Sequence, residues 1–399
     1  MNALLLMCLL QAQQGTGVKV GEVTQDSAIV WVRLTAKKDR EADGACPGAA
    51  GKVRVRYGTK ADLSGAKSTA WAGVTEATDY AHQFPLTGLT PSTVYHFASE
   101  VEGQPPLKGR FETAPEKTAS EPVTFTVITG MANRHMDDPS GFNIFPSMLA
   151  LKPKFIVPTG DTVYYDNDPP NANSPQTAYF HWQRMFSFPR HIDFHLQVPG
   201  YWEKDDHDTV DNDCWPGAKM GTLTFKEGQR IFLEPVPMGP STYRTHRWGK
   251  DLQFWLVEGR DFRSPNKAPD GPQKTIWGAE QKAWLKKTIA ASDATWKVLI
   301  SPTPIVGPDK GGKADNHVND AFKTEGDEIR QWVQKNGGGR LFIVCGDRHW
   351  QYHSVDPATK IQEFSCGPAS DAHAQDGAGE DKTYHKFHRK KGGFLSVTV

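Results

Sequence analysis

The sequence predicts an α/β protein in which an N-terminal all-β sandwich precedes a larger α/β domain. Three observations carry this prediction: an early run of short alternating strands, a polar and proline-bounded linker at residues 114–122, and strands that alternate with helices after it. The chain has 399 residues, 38% of them hydrophobic, which is enough for two domains with buried cores. We expect the sandwich over residues 16–115 and the α/β domain over residues 120–399.

The sandwich is predicted from strands of alternating polarity. Residues 27–34 and 52–57 alternate apolar and polar side chains, as half-buried strands do. A turn with glycine and proline then leads into a strand that carries Tyr95, a pattern typical of the tyrosine corner of a β-sandwich. The spacing resembles a fibronectin type III domain, with Trp31 as the core tryptophan of an early strand.

Beyond the linker, apolar runs alternate with helix candidates, which indicates α/β organisation. The helix expected over residues 278–289 places Leu285 and Ile289 on one face and charged residues on the other. A second helix is expected over residues 327–333, followed by a run of glycines. The expected strands include residues 123–128, 154–158, 296–300 and 341–345.

Residues 1–14 predict a signal peptide, because a short apolar run ends in small and polar residues. A wrongly assigned start or a frayed terminus is the alternative. The run is too short to cross a bilayer, and no other segment approaches transmembrane length. We therefore expect a secreted protein, or one of the periplasm or cell envelope.

Charge and cysteine content narrow the function classes. Lys plus Arg and Asp plus Glu both total 46, so no basic footprint points to specific nucleic-acid recognition. Cys46, Cys214, Cys345 and Cys366 lack the C-x-x-C spacing of a zinc ribbon, and any disulfide pairing stays open. A monomer fits the lack of an obvious amphipathic dimer helix.

Three short motifs carry the candidate chemistry. Residues 160–161 (Gly-Asp) and 346–349 (Gly-Asp-Arg-His) each follow an apolar strand, and residues 205–208 (Asp-Asp-His-Asp) follow the strand-like residues 194–199. Ligands of α/β sheets collect at the carboxyl ends of strands, where glycine allows a tight turn. Carboxylates and imidazoles brought together there are the ligands that a pair of hard-to-borderline metal ions requires.

Each motif has a simpler interpretation when taken alone. A Gly-Asp after a strand is most often a turn or a helix cap, and a histidine among carboxylates can be a salt-bridge partner. The acidic run through Asp213 could be a solvated loop, and it is not an EF-hand because the required Gly and closing Glu are missing. The conjunction of all three motifs, in this order, favours a metal site.

In combination the motifs resemble those of PhoD-type alkaline phosphatases of the metallophosphoesterase superfamily. Residues 160–164 resemble that family's Gly-Asp-x-x-Tyr motif, residues 205–212 its Asp-Asp-His-Glu stretch with trailing Asn, and residues 346–350 its terminal metal motif. The resemblance covers most of the chain. It implies an αββα catalytic domain and a hydrolase that cleaves phosphodiesters, phosphomonoesters or both with two or more metal ions.

The resemblance also implies a role for each site residue. Asp161 would bridge two metal ions. Tyr164, Asp347 and His349 would complete one ion, and Asp206 with Asn212 would hold the other. His207 is the candidate for protonating the leaving oxygen or binding a phosphoryl oxygen, and Arg134 for holding the substrate anion. A surface or structural role is the alternative for Arg134. The implied metal ligands are Asp161, Tyr164, Asp206, Asn212, Asp347 and His349.

One family ligand is absent from this sequence. The family's first strand ends in Ala-Ser-Cys, whose cysteine ligates iron, whereas Gly130 and Met131 stand here. Asn133 or His135 is the expected substitute. The metal could therefore be iron, calcium, zinc or manganese. Asp208 takes the place of the family's Glu and is a shorter carboxylate of similar chemistry.

The main alternative is a non-catalytic surface or binding protein with a degenerate structural metal site. The missing cysteine is its best support, while the other ligand positions, intact in the sequence, argue against it. A second alternative keeps the hydrolase but changes the substrate to a sulfate or carboxylic ester. In the favoured interpretation, the substrate is a small or polymeric phosphate ester.

Overall fold

The computed structural model describes residues 11–399, and the N-terminal region in it is a sandwich of two antiparallel sheets. One sheet has the order β1-β2-β6 and the other the order β4-β3-β7-β8, with β5 also paired to β3. Their facing side chains, such as Val30 and Val55, share one buried core. The strands are β1 (Val18–Gly21), β2 (Ser27–Arg33), β3 (Gly51–Gly58), β4 (Lys67–Ser68), β5 (Ala72–Val74), β6 (Ala81–Thr87), β7 (Val94–Val101) and β8 (Leu107–Glu112).

Tyr95 forms the local contact that its sequence context predicts. Its ring is buried and stacks on Phe111, with 5.6 Å between the ring centroids. Its hydroxyl accepts a hydrogen bond from the backbone N–H of Thr90 at 3.0 Å, as in a tyrosine corner. The predicted sandwich is confirmed, while the closer resemblance to a fibronectin type III domain stays a prediction.

Trp31 lies on the opposite face of β2 from the sandwich core. Because side chains alternate along a strand, Val30 and Val32 enter the core and Trp31 points away from it. Its indole Nε1 donates to the backbone carbonyl of Glu234 at 2.6 Å, and the Lys19 ammonium lies 3.3 Å from its ring centroid. The prediction of a core tryptophan is wrong, since Trp31 packs between the sandwich and the second domain.

The second domain contains two sheets with helices on both sides. The smaller sheet has the order β10-β9-β20, and the larger has the order β13-β14-β15-β16-β18-β17-β19. The strands are β9 (Thr124–Ile128), β10 (Phe155–Pro158), β11 (Lys219–Met220), β12 (Leu223–Thr224), β13 (Arg244–Trp248), β14 (Leu252–Leu256), β15 (Trp296–Ser301), β16 (Leu341–Cys345), β17 (Gln351–Val355), β18 (Gln362–Cys366), β19 (His385–Arg389) and β20 (Leu395–Thr398). The helices are α1 (Ile144–Ala150), α2 (Pro175–Phe186), α3 (Pro189–His195), α4 (Phe225–Phe232), α5 (Gly278–Ala290) and α6 (Lys323–Asn336).

The two sheets pack face to face through aromatic side chains. Phe155 of the smaller sheet stacks on Phe254 of the larger one, with 5.0 Å between ring centroids. Behind the smaller sheet, Ile156 packs among apolar residues of α1 to α4, and behind the larger sheet Leu299 packs among those of α5 and α6. The predicted αββα architecture is confirmed.

Helix α6 is longer than predicted. It begins at Lys323 rather than at residue 327, because the first turn carries a buried carboxylate with partners of its own. Glu325 accepts hydrogen bonds from Thr275 and lies 3.0 Å from the imidazole Nε2 of His317. The predicted helix over 278–289 corresponds to α5.

The predicted strand over residues 194–199 is wrong. Pro189 occupies the first turn of α3, where its missing N–H costs nothing, and the helix continues to His195. The extended segment starts later: Gly200 bridges Ile156, and Glu203 bridges Thr159 in parallel orientation. Residues 205–208 therefore still emerge beside the carboxyl end of β10.

The sandwich is tied to the second domain. Gly21 at the end of β1 bridges Gly200, and Glu22 accepts from the Arg244 guanidinium at 2.7 Å. The sandwich core is continuous with the core between the two sheets of the second domain. The sandwich therefore packs directly against the second domain and shares a core with its two sheets.

The termini and cysteines add three observations. Most of the predicted leader, residues 1–10, lies outside the described residues, whereas Ala12 is buried and Gln13 donates to the Thr35 carbonyl at 2.7 Å. Within residues 11–399, no helix is both long and apolar enough to span a membrane. The cysteines of this part, Cys46, Cys214, Cys345 and Cys366, are buried and unpaired.

Candidate metal centre

The candidate site lies where strands of both sheets end. The loops that follow β9, β10, β15, β16 and β18 line one cavity of about 180 Å³. Strands β9 and β10 are parallel, as are β15, β16 and β18, so their carboxyl ends meet at one edge. This is the edge that the three sequence motifs predict.

The two Gly-Asp motifs share one backbone geometry. Asp161 and Asp347 both adopt a left-handed conformation, with φ of 54° and 60°. Asp tolerates the left-handed region better than most residues do. Residues other than glycine in this conformation occur disproportionately at functional sites. A Cβ on Gly160 would lie 2.6 Å from the backbone nitrogen of Asp205, so glycine is required where these two loops meet.

Asp161 is at the centre of the site and is 1% exposed. Its Oδ2 accepts from the Tyr164 hydroxyl at 2.8 Å and lies 3.5 Å from the His349 Nε2. Its Oδ1 has no hydrogen-bond partner among the described residues, and burial raises the pKa of this carboxyl to about 6. A buried carboxylate oxygen without a donor is costly, and a cation is a suitable partner.

Neutral rings occupy one side of Asp161, which we call the imidazole side (Tyr164, His349 and His373). The His349 Nε2 lies 3.1 Å from the Tyr164 hydroxyl, and its ring centroid lies 4.0 Å from that of His373. Burial, with His207 next in effect, lowers the pKa of His349 to about 3. The imidazole is therefore neutral, which is the form that binds metal ions.

Acidic groups occupy the other side, which we call the carboxylate side (Asp206, Asp213 and Asp315). One oxygen of each lies within 4.8 Å of the others, and Asp161, Asp206 and His207 form a second group at the same spacing. Burial would raise the pKa of Asp206, but the Arg260 guanidinium, 3.8 Å away, and His207 hold it well below its usual value. Nearby cations therefore favour the ionised forms of Asp206 and Asp315, whereas burial and the neighbouring Asp315 raise the pKa of Asp213.

His207 lies between the two sides. Its Nδ1 is 2.5 Å from Oδ1 of Asp166, and its ring packs on Tyr164 with 4.4 Å between centroids. Burial opposes a charge on this imidazole, but Asp206 and Asp161 outweigh burial and raise its pKa to about 10. The imidazole of His207 is therefore protonated where it borders the site.

Two protein-family models match this chain. The family model described as PhoD-like phosphatase matches residues 125–392, and the model of the N-terminal domain of the same phosphatases matches residues 10–115. The chain belongs to the PhoD-like phosphatase family. Both the resemblance stated from the motifs and the fold that it implies are confirmed.

Individual relatives of the family are distant in sequence. Alkaline phosphatase D of Bacillus subtilis (strain 168) is 21% identical, over 85% of this chain and 64% of that protein, so the chain spans less than two thirds of this relative. The solved structure of PhoD superposes with a TM-score of 0.82 at 17% identity, over 97% of this chain and 84% of that one. A purple acid phosphatase from yellow lupin (Lupinus luteus) seeds superposes with a TM-score of 0.63 at 14% identity, over 96% and 69%. The two structures show a shared fold.

The predicted site residues of the PhoD-like chain converge on this cavity. Six of them line it: Arg134, Tyr164, His207, Asn212, Asp347 and His349. Asp161 and Asp206 contact this lining, since Asp161 accepts from Tyr164 and Asp206 accepts from the His207 backbone N–H at 3.0 Å. Asp208 instead braces the site, because it accepts from the backbone N–H groups of Val163 and Asp205.

Three predicted residues have partners in the protein itself. Arg134 donates to the Asn167 carbonyl at 2.5 Å and lies 3.4 Å from Asp168, so its guanidinium is anchored to the loop after β10. Asp347 pairs with Arg348, the next residue. Asn212 donates its backbone N–H to Oδ2 of Asp166 at 3.0 Å, and its side chain lines the cavity wall.

Neither residue at the position of the family's cysteine can supply a side-chain ligand. A Cβ on Gly130 would lie 3.2 Å from Cδ2 of His349, so a side chain there would displace this ring. Met131 is buried in the apolar cluster behind the smaller sheet. Of the expected substitutes, Asn133 donates its backbone N–H to Asp168, and His135 stacks on the ring of His373.

Several residues of the site were missed in the sequence. Lys310, Lys313 and Gln375 line the cavity, and the Lys310 Nζ lies 3.2 Å from Oε1 of Gln375. Lys313 pairs with Asp213 at 2.5 Å. The signal that could have found the lysines is the Lys-Gly-Gly-Lys sequence in a glycine-rich loop after β15, at the same edge as the motifs. His373 had no such signal.

Proposed function

We propose that this chain hydrolyses phosphate esters at a two-metal centre, with a phosphomonoester, a phosphodiester or both as substrate. The observation that carries the proposal is the buried Asp161, which lies between the imidazole side and the carboxylate side. Its Oδ1 has no hydrogen-bond partner within residues 11–399. Membership of the PhoD-like phosphatase family supports the same reaction. Metal ions bound there would supply Lewis acidity and a water of lowered pKa.

The donor atoms on the two sides differ in kind. Tyr164 and His349 would hold one ion together with Asp161, while Asp206 and its acidic neighbours would hold the other. Imidazole nitrogen suits zinc and iron, whereas a cluster of carboxylates suits calcium or manganese. We propose that the two positions take different ions.

The cavity rim would hold the substrate anion. Arg134 and Lys310 lie on opposite loops, after β9 and after β15, and both line the cavity. A guanidinium and an ammonium offer charge-assisted hydrogen bonds to phosphoryl oxygens, so the pair would orient the ester. Lys313, already paired with Asp213, would add positive charge to the same wall.

His207 would protonate the leaving oxygen. Asp166 lies 2.5 Å from its Nδ1, which orients the ring and favours a proton on that nitrogen. As the bond from phosphorus to the leaving oxygen breaks, the proton on the other ring nitrogen would pass to that oxygen. The imidazole would then be neutral and would be reprotonated from solvent.

Elemental analysis combined with phosphatase assays tests the proposal. We expect about two metal ions per chain and turnover of bis-p-nitrophenyl phosphate or p-nitrophenyl phosphate. Asp161→Ala should lose both metal and activity, whereas Asp193→Asn, on the exposed face of α3, should keep both. Wild-type protein without metal and without turnover under any added divalent ion would refute the proposal and favour a non-catalytic surface protein. Turnover of sulfate or carboxylic esters in place of phosphate esters would refute the substrate class.

We also propose that the protein is exported. The leader predicted for residues 1–14 supports this location. N-terminal sequencing of the protein recovered outside the cytoplasm should show a shortened chain.

A further inference from the structure

His373 lies beside Gly130, where neither Gly130 nor Met131 supplies a side-chain metal ligand. It lies in the loop after β18, and its ring is 5% exposed. Its Nδ1 is 3.1 Å from the carbonyl oxygen of Gly130, and a carbonyl only accepts, so this nitrogen carries the proton. The Nε2 therefore carries the lone pair. Histidines that bind metal ions have the same arrangement, with one nitrogen on the metal and the other donating to a backbone carbonyl.

The ring of His373 contacts two residues of the imidazole side. Its centroid lies 4.0 Å from that of His349 and 5.2 Å from that of Tyr164, which it meets edge to face. It also lines the cavity. The ring of His373 therefore lies beside two candidate ligands and borders the cavity in which the ion would bind.

The expected substitutes occupy less suitable positions. His135 packs on His373 with 4.9 Å between centroids, and its Nε2 accepts from the Arg134 guanidinium at 3.2 Å. Asn133 lies in the same turn as His135, after β9, and is held by Asp168 through its backbone N–H. His373 is the residue that contacts Gly130 and His349 together.

We propose that His373 binds the metal ion of the imidazole side through Nε2, beside Asp161, Tyr164 and His349. An imidazole from the loop after β18 thereby replaces a thiolate from the loop after β9. The Gly130 carbonyl would orient this ligand, which explains how the backbone at that position still serves the site. The inference rests on the proposed two-metal function. Two imidazoles, a phenol and a carboxylate favour zinc or iron over calcium.

Metal binding measured without turnover tests this inference. His373→Phe keeps an aromatic ring for the contacts with His349 and Tyr164 but removes the ligand atom. We expect it to lose one metal ion per chain on dialysis, or to bind zinc at least tenfold more weakly in competition with a chromophoric chelator. His135→Phe is the matched control and should bind both ions as the wild type does.

A second variant separates ligation from packing. In the cobalt-substituted protein, His373→Cys should restore binding and add a thiolate-to-cobalt charge-transfer band that the wild type lacks. Equal zinc affinity in wild type and His373→Phe would overturn the inference, as would equal weakening in His135→Phe or a Cys variant without the new band. If the wild type itself binds no metal, the proposed function fails first, and the two failures are therefore distinguishable.

Discussion

The imidazole side and the carboxylate side of the metal centre differ in how charge is managed. The imidazole side consists of neutral rings packed on one another, and burial keeps His349 and His373 unprotonated. The carboxylate side consists of acidic groups close to cations: Arg260 lies 3.4 Å from Asp315 and 3.8 Å from Asp206. Asp161 lies between them, and in the part of the chain that the structure describes its Oδ1 has no hydrogen-bond partner.

The two sides should therefore depend on the metal ion to different degrees. Neutral rings repel one another little, so the imidazole side can form before an ion binds. Close carboxylates repel one another, and here Arg260 and Lys313 reduce that repulsion from within the protein. The same cations compete with a metal ion for the oxygens, so the carboxylate side should bind its ion more weakly.

The largest effect is expected from His349→Gln. The variant removes an imidazole that lies 3.1 Å from Tyr164 and 3.5 Å from Asp161. Loss of the Lewis acid on this side removes several kcal/mol of transition-state stabilisation, on the order of a thousandfold in kcat. Elemental analysis should show one ion lost and one retained. Loss of both ions together would show that the two sides are not separate.

An intermediate effect is expected from Asp315→Asn. The variant removes a buried charge of the carboxylate side, and we expect affinity for the second ion to fall by about 10- to 100-fold. The ion of the imidazole side should be unchanged when measured by chelator competition. Asp293→Asn, a largely exposed aspartate, is the control and should bind as the wild type does. Weaker binding on both sides would contradict the comparison.

The smallest effect is expected from Asp166→Asn, which weakens the orientation of His207 between the two sides. We expect about a tenfold loss in kcat for an alkyl phosphate, whose leaving oxygen needs a proton. The loss should be much smaller for p-nitrophenyl phosphate, whose leaving group is stable as an anion. Equal losses for both substrates would show that Asp166 supports the fold rather than proton transfer. Asp166→Glu should restore part of the alkyl phosphate activity.

Local sequence was sufficient for the strand-end motifs and for much of the fold. A buried apolar strand followed by Gly-Asp needs only neighbouring residues to form, and Asp161 and Asp347 have the same backbone conformation. The alternation in β2 likewise placed Val30 in the core. The error at Trp31 arose because alternation assigns a face and not what covers that face, and the Glu234 carbonyl comes from a distant segment.

Helix α3 shows a second limit of local patterns. Residues 194–199 are apolar enough for a strand. Pro189 in the first helical turn, and the packing of Phe194 among the apolar residues behind the smaller sheet, favour a helix instead. The extended segment that pairs beside β10 begins at Gly200. The acidic motif reached its predicted edge because of that pairing.

Local sequence patterns were enough to predict the sandwich, the α/β domain and the strand-end carboxylates, because these depend on periodicity and on turns between neighbouring residues. The other side chains that join these carboxylates come from distant parts of the chain. His373 meets the Gly130 carbonyl across 243 residues of sequence, and Arg260 reaches Asp205 across 55. Such contacts depend on how the loops of separate strands pack at one edge, and no local pattern specifies them.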